Sequence, residues 1–420
     1  MMSEKNVWET YEEQEMKEVF ALAEDYKRFI SENKTERACV KSAVAMAEAR
    51  GYRDLREVIR RQETLKPQDK VYLTMMEKSI VLFHLGDRPL EEGMHILGAH
   101  IDSPRLDLKQ NPVYENTELA YLDTHYYGGI KKYQWVTLPL ALHGVIVKKD
   151  GTSVDVCIGE KEDDPVFVIS DLLIHLSNDQ MQKKAASVIE GEDLNVTFGS
   201  MPLKEEEKDK VKANVLKLLK ERYDVEESDL VSAEIEVVPA GKARDLGIDR
   251  SMVIGYGQDD RVCAYTSLVA LLEMENVEKT AVCLLVDKEE VGSQGATGMQ
   301  SCFFENALAE VMDRMGIYSE LKVRRALQHS KMLSSDVSAA YDPNYAGVME
   351  TNNCAYFGKG LVFNKYTGAR GKSGCNDANA EYMAELRAVM EKGNVAYQTS
   401  ELGKVDQGGG GTIAYILGNY

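Results

Sequence analysis

The stretch Ala281–Gly298, AVCLLVDKEEVGSQGATG, decides the fold of this chain. It opens with an uninterrupted apolar run, which is typical of a buried strand. The run ends abruptly in Asp287, Lys288, Glu289 and Glu290. Adjacent glutamates are common in solvated turns. In open α/β sheets, however, binding sites also gather beyond the carboxyl ends of strands.

Three other apolar runs end in the same way. HILGAHID ends at His100 and Asp102, MVIGYGQDD at Asp259 and Asp260, and SKMLSSD at Asp336. These ends could bring one histidine and several carboxylates into one cleft. Carboxylates in such numbers cannot all stay ionised together unless cations lie between them. Oxygen ligands with a histidine suit Zn²⁺, Mn²⁺ or Co²⁺ better than copper.

Each strand end also has an ordinary structural explanation. A histidine at a strand end is often structural, and the segment KEE is typical of exposed surface. The segment DDR suits a helix N-terminus, where aspartate favours the positive end of the helix dipole, and SSD suits a turn. From the residue pattern alone, a metal site and these explanations remain alternatives.

The apolar pattern divides the chain into an α/β part built from both ends and a β-rich insert. Residues 1–110 and 247–420 alternate helical and strand patterns, whereas residues 111–246 hold short β-rich runs and one charged amphipathic helix. Thr35 is placed to cap a second N-terminal helix that ends before Gly51. A length of 420 residues fits about two domains.

Composition excludes several classes of partner. The net charge of −19, with no long basic patch, argues against nucleic acid and anionic membranes. The longest apolar stretch, residues 135–147, is too short to span a bilayer. The start lacks the apolar core of a signal peptide, and the seven cysteines form no CxxC pair. Reduced thiols predict a cytoplasmic protein.

The strand-end motifs resemble those of the aspartyl aminopeptidases, the eighteenth family of metallopeptidases. The resemblance covers nearly the whole chain and rests on GAHIDSPRLDLK, GQDDRVCA, DKEEVGSQGATG, SSDVSAAYDPNY, KYTGARGKSGCNDANAE and ELGKVDQGGGGTIA. It implies a mixed-sheet, three-layer α/β catalytic domain in two parts, 1–110 and 247–420. Residues 111–246 would be an inserted β-rich dimerisation domain. It also implies peptide substrates and a homo-oligomer built from dimers, up to a dodecamer.

The resemblance implies a centre of two divalent metal ions, with zinc expected and manganese or cobalt as the alternatives. The implied ligands are His100, Asp259, Glu290 and Asp336, with Asp259 bridging both ions. Glu289 would be the general base. The adjacent glutamates would thus have separate tasks, and alternation of side chains along extended backbone would let them diverge.

Two further residues acquire roles from the resemblance. Asp102 would orient the imidazole of His100, as a carboxylate behind a metal-bound histidine commonly does. His175, in DLLIHL, would help to hold the substrate of a neighbouring subunit. The alternative for His175 is an ordinary histidine on an amphipathic helix.

The predicted function is a metal-dependent aminopeptidase that releases N-terminal residues. Acidic residues are candidate substrates because Lys365, Arg370 and Lys372 lie in a motif that could adjoin the cleft, although they could equally be surface charges. The alternatives are a metal-dependent deacylase or aminoacylase, and a non-catalytic assembly protein that keeps the fold. The presence of Glu289 favours an enzyme, because an assembly protein needs no general base.

One feature departs from the family pattern, which has a fifth ligand, a histidine beyond the glycine run. None of the seven histidines follows His329, and the sequence stops at Tyr420 in an apolar helical run. The expectation is therefore either a chain truncated at the C-terminus or a molecule that lacks this ligand. One of its metal sites would have too few ligands, which puts the activity of the 420-residue form in doubt.

Overall fold

The computed structural model describes residues 5–366, 371–372 and 377–420. The helices are α1 (Glu13–Glu32), α2 (Glu36–Ala49), α3 (Leu55–Arg60), α4 (Lys210–Tyr223), α5 (Gln258–Leu272), α6 (Phe303–Arg314), α7 (Glu320–Gln328), α8 (Ala380–Lys392) and α9 (Ala414–Leu417). The strands are β1 (Arg53–Asp54), β2 (Lys70–Met75), β3 (Ser79–His84), β4 (His95–His100), β5 (Arg105–Asn116), β6 (Leu119–Tyr127), β7 (Leu140–Val147), β8 (Ser153–Ile158), β9 (Val196–Gly199), β10 (Ala233–Pro239), β11 (Arg244–Leu246), β12 (Met252–Ile254), β13 (Ala281–Val286), β14 (Lys331–Ser334), β15 (Leu361–Asn364) and β16 (Tyr397–Ser400). The predicted α/β class with a mixed sheet is confirmed.

The chain forms two compact units. The first comprises Met1–Tyr26, Val40–Ile101 and Gln258–Tyr420, and the second comprises Lys27–Cys39 and Asp102–Gly257. The second unit thus interrupts the first in sequence. The expected boundary at residues 110 and 111 falls inside β5.

The first unit is built on a six-stranded mixed sheet of order β1-β2-β3-β13-β4-β14. Strand β4 runs parallel to both β13 and β14, and β13 runs antiparallel to β3. Every side chain of β13 is buried, as expected for an inner strand. Apolar residues of α3, α6 and α7 join those of β2, β3 and β13 in one core, while α5 packs against β4 and β13.

The second unit is built on a six-stranded antiparallel sheet of order β8-β7-β10-β5-β6-β9. Helix α4 contributes Val211 and Val215 to its core, which confirms the predicted amphipathic helix. Buried Lys34 belongs to this unit because its ammonium donates to Glu160 at 2.6 Å and to the carbonyl oxygen of Gly241 at 2.8 Å. Glu160 also contacts the imidazole of His143 at 2.8 Å.

Several sequence predictions can be compared with these elements. Thr35 accepts a hydrogen bond from the backbone N–H of Ala38 at the start of α2, as predicted. The run PVFVIS, one of the short β-rich runs predicted in residues 111–246, forms only isolated bridges, at Phe167 and Val168. Within the residues described, no helix is both long and apolar enough to cross a bilayer.

Candidate metal centre

Three neighbouring strands of the first unit deliver polar residues to one edge of the sheet. Strands β13, β4 and β14 are parallel and adjacent, so their carboxyl ends meet. His100 is the last residue of β4, Glu289 follows β13 and Asp336 follows β14. This is the edge at which α/β sheets place their ligands.

These side chains surround the imidazole of buried His100. Its Nε2 lies 3.3 Å from Oδ1 of Asp259, 3.8 Å from Oε2 of Glu289 and 4.0 Å from Oδ2 of Asp336. His100 forms one possible donor set with Asp259 and Glu290, and the donor atoms lie within 4.8 Å of one another. The structure thus brings together all the residues that the resemblance named as metal ligands.

The structural element that places Asp259 at the centre differs from the one predicted. The run before it was expected to be a strand of the α/β sheet, but β12 pairs only with β11 in a two-stranded sheet. Asp259 instead lies at the start of α5, where its own backbone and that of Asp260 are not helical. The Arg261 Nε donates to the carbonyl oxygen of Ile101 at 3.0 Å, which ties this helix start to the end of β4.

Asp260 also belongs to the centre, although neither the residue pattern nor the resemblance assigns it a role there. It is completely buried and forms a second possible donor set with His100 and Asp336. Neither carboxylate oxygen accepts a hydrogen bond from an N–H or O–H group of the described residues, and the thiol of Cys263 is its neighbour. A buried carboxylate without donors is costly unless a cation compensates its charge.

The electrostatics of the centre favour cation binding. Burial raises the pKa of Asp260 well above its usual range; the nearby imidazole of His100 opposes the rise, and the Asp336 and Asp259 carboxylates add to it. Burial also raises the pKa of Asp336 to about 7, again against His100 and with the support of Asp259 and Glu289. A divalent cation would remove this repulsion. The donor set of one imidazole and several carboxylates fits zinc.

Glu289 and Glu290 lie on a single 3-10 turn, Glu289–Val291, that follows Lys288 in the left-handed region. The expected reason for their divergence, extended backbone, is therefore wrong. Successive residues of a 3-10 turn point about 120° apart because the turn has three residues. The side chain of Glu289 is 16% exposed, so it is accessible to water.

Two further predicted residues belong to the second unit. Asp102 belongs to the second unit, where it is completely buried and accepts a hydrogen bond from the Tyr127 hydroxyl at 2.7 Å. His175 lies in the same unit, exposed on a 3-10 turn rather than on an amphipathic α-helix.

The three cations considered for substrate recognition differ in their surroundings. Lys365 lines a cavity of about 460 Å³ in the first unit that also includes Asp336. Lys372 forms an ion pair with Asp377 at 3.1 Å. Arg370 lies outside the described residues.

Comparisons with known proteins agree with this geometry. Residues 29–420 match the family model described as aminopeptidase I zinc metalloprotease (M18). A probable M18 family aminopeptidase 1 of Clostridium acetobutylicum is 65% identical over 417 residues, which are 99% of this chain and 90% of the relative.

Solved structures give the same assignment. The crystal structure of a Thermotoga maritima M18 aminopeptidase matches with a TM-score of 0.94 and 43% identity, covering 100% of this chain and 91% of that one. The crystal structure of aminopeptidase I from Clostridium acetobutylicum matches with a TM-score of 0.93 and 62% identity over the same shares. The chain therefore belongs to the M18 family of zinc metallopeptidases and is a metal-dependent aminopeptidase, a hydrolase.

Proposed function

We propose that the chain cleaves the first peptide bond of unblocked peptides at a centre of two divalent metal ions, with zinc as the expected metal. The observation that carries the proposal is the pair of donor sets that share His100, each completed by two carboxylates. One set contains Asp259 and Glu290, and the other contains Asp260 and Asp336. Repulsion among so many carboxylates around one imidazole favours the binding of cations at neutral pH.

In this proposal His100 and Asp336 would hold one ion, Glu290 would hold the other, and Asp259 would contact both. When bound, the ions would polarise the scissile carbonyl group and lower the pKa of the attacking water. Glu289 accepts a proton from that water and delivers it to the leaving amine. Its Oε2 lies within the cluster, 3.8 Å from the His100 imidazole, and its side chain is accessible to water.

The substrate class follows from charge. A free α-amine is a cation that complements the carboxylates of the centre, so unblocked N-termini are favoured over acylated ones. We propose acidic N-terminal side chains as preferred substrates, with Lys365 on the cavity beside Asp336 as the cation that would attract them. An N-acylated substrate lacks the cation and should react poorly, which separates this function from that of a deacylase.

We also propose that residues 111–246 form a dimerisation domain of a homo-oligomer, up to a dodecamer, in which His175 reaches the substrate of a neighbouring subunit. The support is an exposed apolar segment around His175. Its large apolar side chains are 51–71% exposed: Leu172, Leu173, Ile174 and Leu176. Exposed apolar clusters of this kind are typical of protein contacts.

The described cysteines form no disulfide, which supports a cytoplasmic location.

The test is a turnover screen of amino-acid anilides on metal-free protein supplied with zinc, manganese or cobalt. The expected result is release of aniline from free amino-acid anilides, fastest for aspartyl or glutamyl substrates, and very little from their N-acetylated forms. Release of acetate from the acetylated substrates, with no aniline from either form, would identify a deacylase. No turnover with any of the three metals would contradict the proposed catalytic centre.

A further inference from the structure

A cysteine, a histidine and a glutamate lie together on one face of the antiparallel sheet of the second unit. Cys157 of β8 lies directly opposite His143 of β7, so the two side chains are cross-strand neighbours. Glu160 follows β8, and its Oε1 lies 2.8 Å from Nε2 of the same imidazole. A nucleophile, a base and a group that orients the base are the parts from which proteins build a reactive thiol.

The contact with Glu160 determines which nitrogen of the His143 ring can take up a proton. Burial would raise the pKa of Glu160, but hydrogen bonds from His143 and Lys34 lower it, so the carboxylate is ionised at neutral pH. An ionised carboxylate only accepts hydrogen bonds, and Nε2 therefore carries the hydrogen in this contact. Nδ1 keeps its lone pair and is the nitrogen that can accept the thiol proton of Cys157.

Cys157 combines contact with this imidazole and access to solvent. Burial opposes protonation of His143, but its hydrogen bonds with Cys157 and to Glu160 raise the pKa of the ring. Strand β8 is at the edge of its sheet, where Cys157 is exposed and His143 is buried behind it. Cys39, the other described cysteine of this unit, is buried. A reagent from solution can therefore reach the sulfur atom of Cys157.

The neighbouring acidic groups oppose a thiolate only weakly. Glu236 of β10 lies opposite His143, and burial raises the pKa of Glu236 well above its usual range. Burial also raises the pKa of Tyr223 on α4, so its hydroxyl is neutral at pH 7. Asp155, two residues before Cys157 on the same face of β8, is exposed, and solvent screens its charge.

We propose that Cys157 is a site of S-thiolation, at which small organic disulfides are the co-reactants. The Cys157 thiol gives its proton to Nδ1 of His143, and the thiolate attacks one sulfur atom of the disulfide. The S–S bond of the reagent breaks as a new S–S bond to Cys157 forms. The departing thiolate takes the proton from His143 and leaves as a thiol. Cys157 is oxidised and half of the reagent is reduced, so no other oxidant is needed.

The site uses no residue of the metal centre, so it stands independently of the proposed peptidase function. The first test therefore uses the parent protein, as the full chain supplied with zinc. It is treated with bis(2-hydroxyethyl) disulfide at pH 6.5, and modified peptides are quantified by mass spectrometry. An ordinary cysteine has only about 1% thiolate at this pH. Cys157 should react about tenfold faster than N-acetylcysteine under the same conditions.

The second test removes the base. In His143→Gln the amide can still donate to Glu160 but cannot take up the thiol proton. The rate at Cys157, divided by the rate at exposed Cys302 in the same sample, should fall about tenfold. His125→Gln is the matched control, because His125 is an exposed histidine on β6, four strands from β8 in the same sheet. The control should leave the ratio unchanged.

Two results would overturn the assignment while leaving the proposed peptidase function intact. One is a parent protein in which Cys157 reacts within twofold of N-acetylcysteine. The other is an unchanged ratio in a His143→Gln variant whose circular dichroism matches that of the parent.

If His143→Gln does not fold, the pH dependence of the parent decides. From pH 6.5 to pH 8 the rate at Cys157 should rise less than about fivefold, whereas an ordinary thiol gains roughly tenfold or more. A rise at Cys157 as steep as that of N-acetylcysteine would overturn the assignment.

Discussion

The Nε2 atom of His100 lies 4.0 Å from Oδ2 of Asp336, and the two residues follow neighbouring parallel strands. Strand β13, on the other side of β4, adds the two glutamates at the same edge. The centre is thus a property of the sheet order rather than of any one motif. Each of its members has a separate consequence that can be measured.

Replacing Glu289 with glutamine should abolish turnover while leaving metal content nearly unchanged. Glutamine keeps the shape of the side chain and removes the base, and general-base catalysis contributes roughly 100- to 10,000-fold. Anilide kinetics and metal analysis on the same sample test this. Glu310→Gln, an exposed glutamate on α6, is the control. Loss of metal from Glu289→Gln, or a rate within a few-fold of the parent, contradicts the role.

Replacing Asp260 with asparagine should stabilise the metal-free protein near neutral pH and weaken zinc binding. The folded pKa of Asp260 is raised above the ordinary value of 3.8. The folded state therefore binds more protons than the unfolded state above about pH 4, and its stability falls as pH rises. Asparagine lacks this penalty, so the variant's advantage in melting temperature should grow from pH 4 to pH 7.5.

The control for the Asp260 experiment is Asp313→Asn, because Asp313 is a half-exposed aspartate that pairs with Arg314 on α6. Its effect on zinc binding should be negligible. Calorimetric titration with zinc completes the comparison. An Asp260→Asn variant that binds zinc as tightly as the parent shows that the buried carboxylate contributes nothing to the metal site.

Replacing His143 with leucine should cost stability mainly at acidic pH. Burial opposes protonation of His143, but its hydrogen bonds with Cys157 and to the Glu160 carboxylate outweigh burial and raise the pKa of the imidazole above 6.5. The stabilisation is fully present below pH 6.5 and is lost as pH rises through the folded pKa. The expected loss is about 1–3 kcal/mol near pH 5.5.

Urea unfolding of the His143→Leu variant at pH 5.5 and pH 8.5 tests whether the loss of stability is larger at acidic pH. Burial alone would raise the pKa of Glu160, yet the hydrogen bonds from His143 and Lys34 lower it, so the partner stays ionised throughout this range. His125→Leu, at an exposed position of the same unit, is the control. A loss of stability that grows toward alkaline pH would contradict the raised pKa of His143.

Replacing Leu173 and Ile174 with serine should weaken subunit association. The two side chains are 56% and 71% exposed beside His175, and association would bury them. Light scattering of the double variant should give a smaller mass than the parent, with unchanged circular dichroism. Met201→Ser, at a 72% exposed site of the same unit, is the control. An unchanged mass places the subunit contacts elsewhere.

The residues at the edge of the sheet could be predicted from the sequence because each follows a clear apolar run. His100, Glu289 and Asp336 each follow a run that packs as a parallel strand, and parallel strand ends meet by geometry. The prediction that Asp259 follows a strand of the α/β sheet was wrong because β12, the strand before it, is only three residues long. So short an apolar run gives no indication of which sheet it joins.

Other features depend on tertiary packing and could not be read from the sequence. The segment DDR indicates a helix start, but the burial of Asp260 follows from the packing of α5 against β4. The helical periodicity of α1 likewise identifies an apolar face without naming its partner. Residues 27–39 therefore looked like part of the α/β domain, although Lys34 binds them to the β-rich unit.

The position of β13 between β3 and β4 has a consequence for biosynthesis. A ribosome makes residues 101–288 after His100 and before Glu289, which takes roughly ten to forty seconds at about 5–20 residues per second. Throughout that interval the growing chain holds its histidine but none of the carboxylates of β13 and β14. The proposed metal centre therefore cannot be completed until Glu289, Glu290 and Asp336 have been synthesised, at the end of that interval or later.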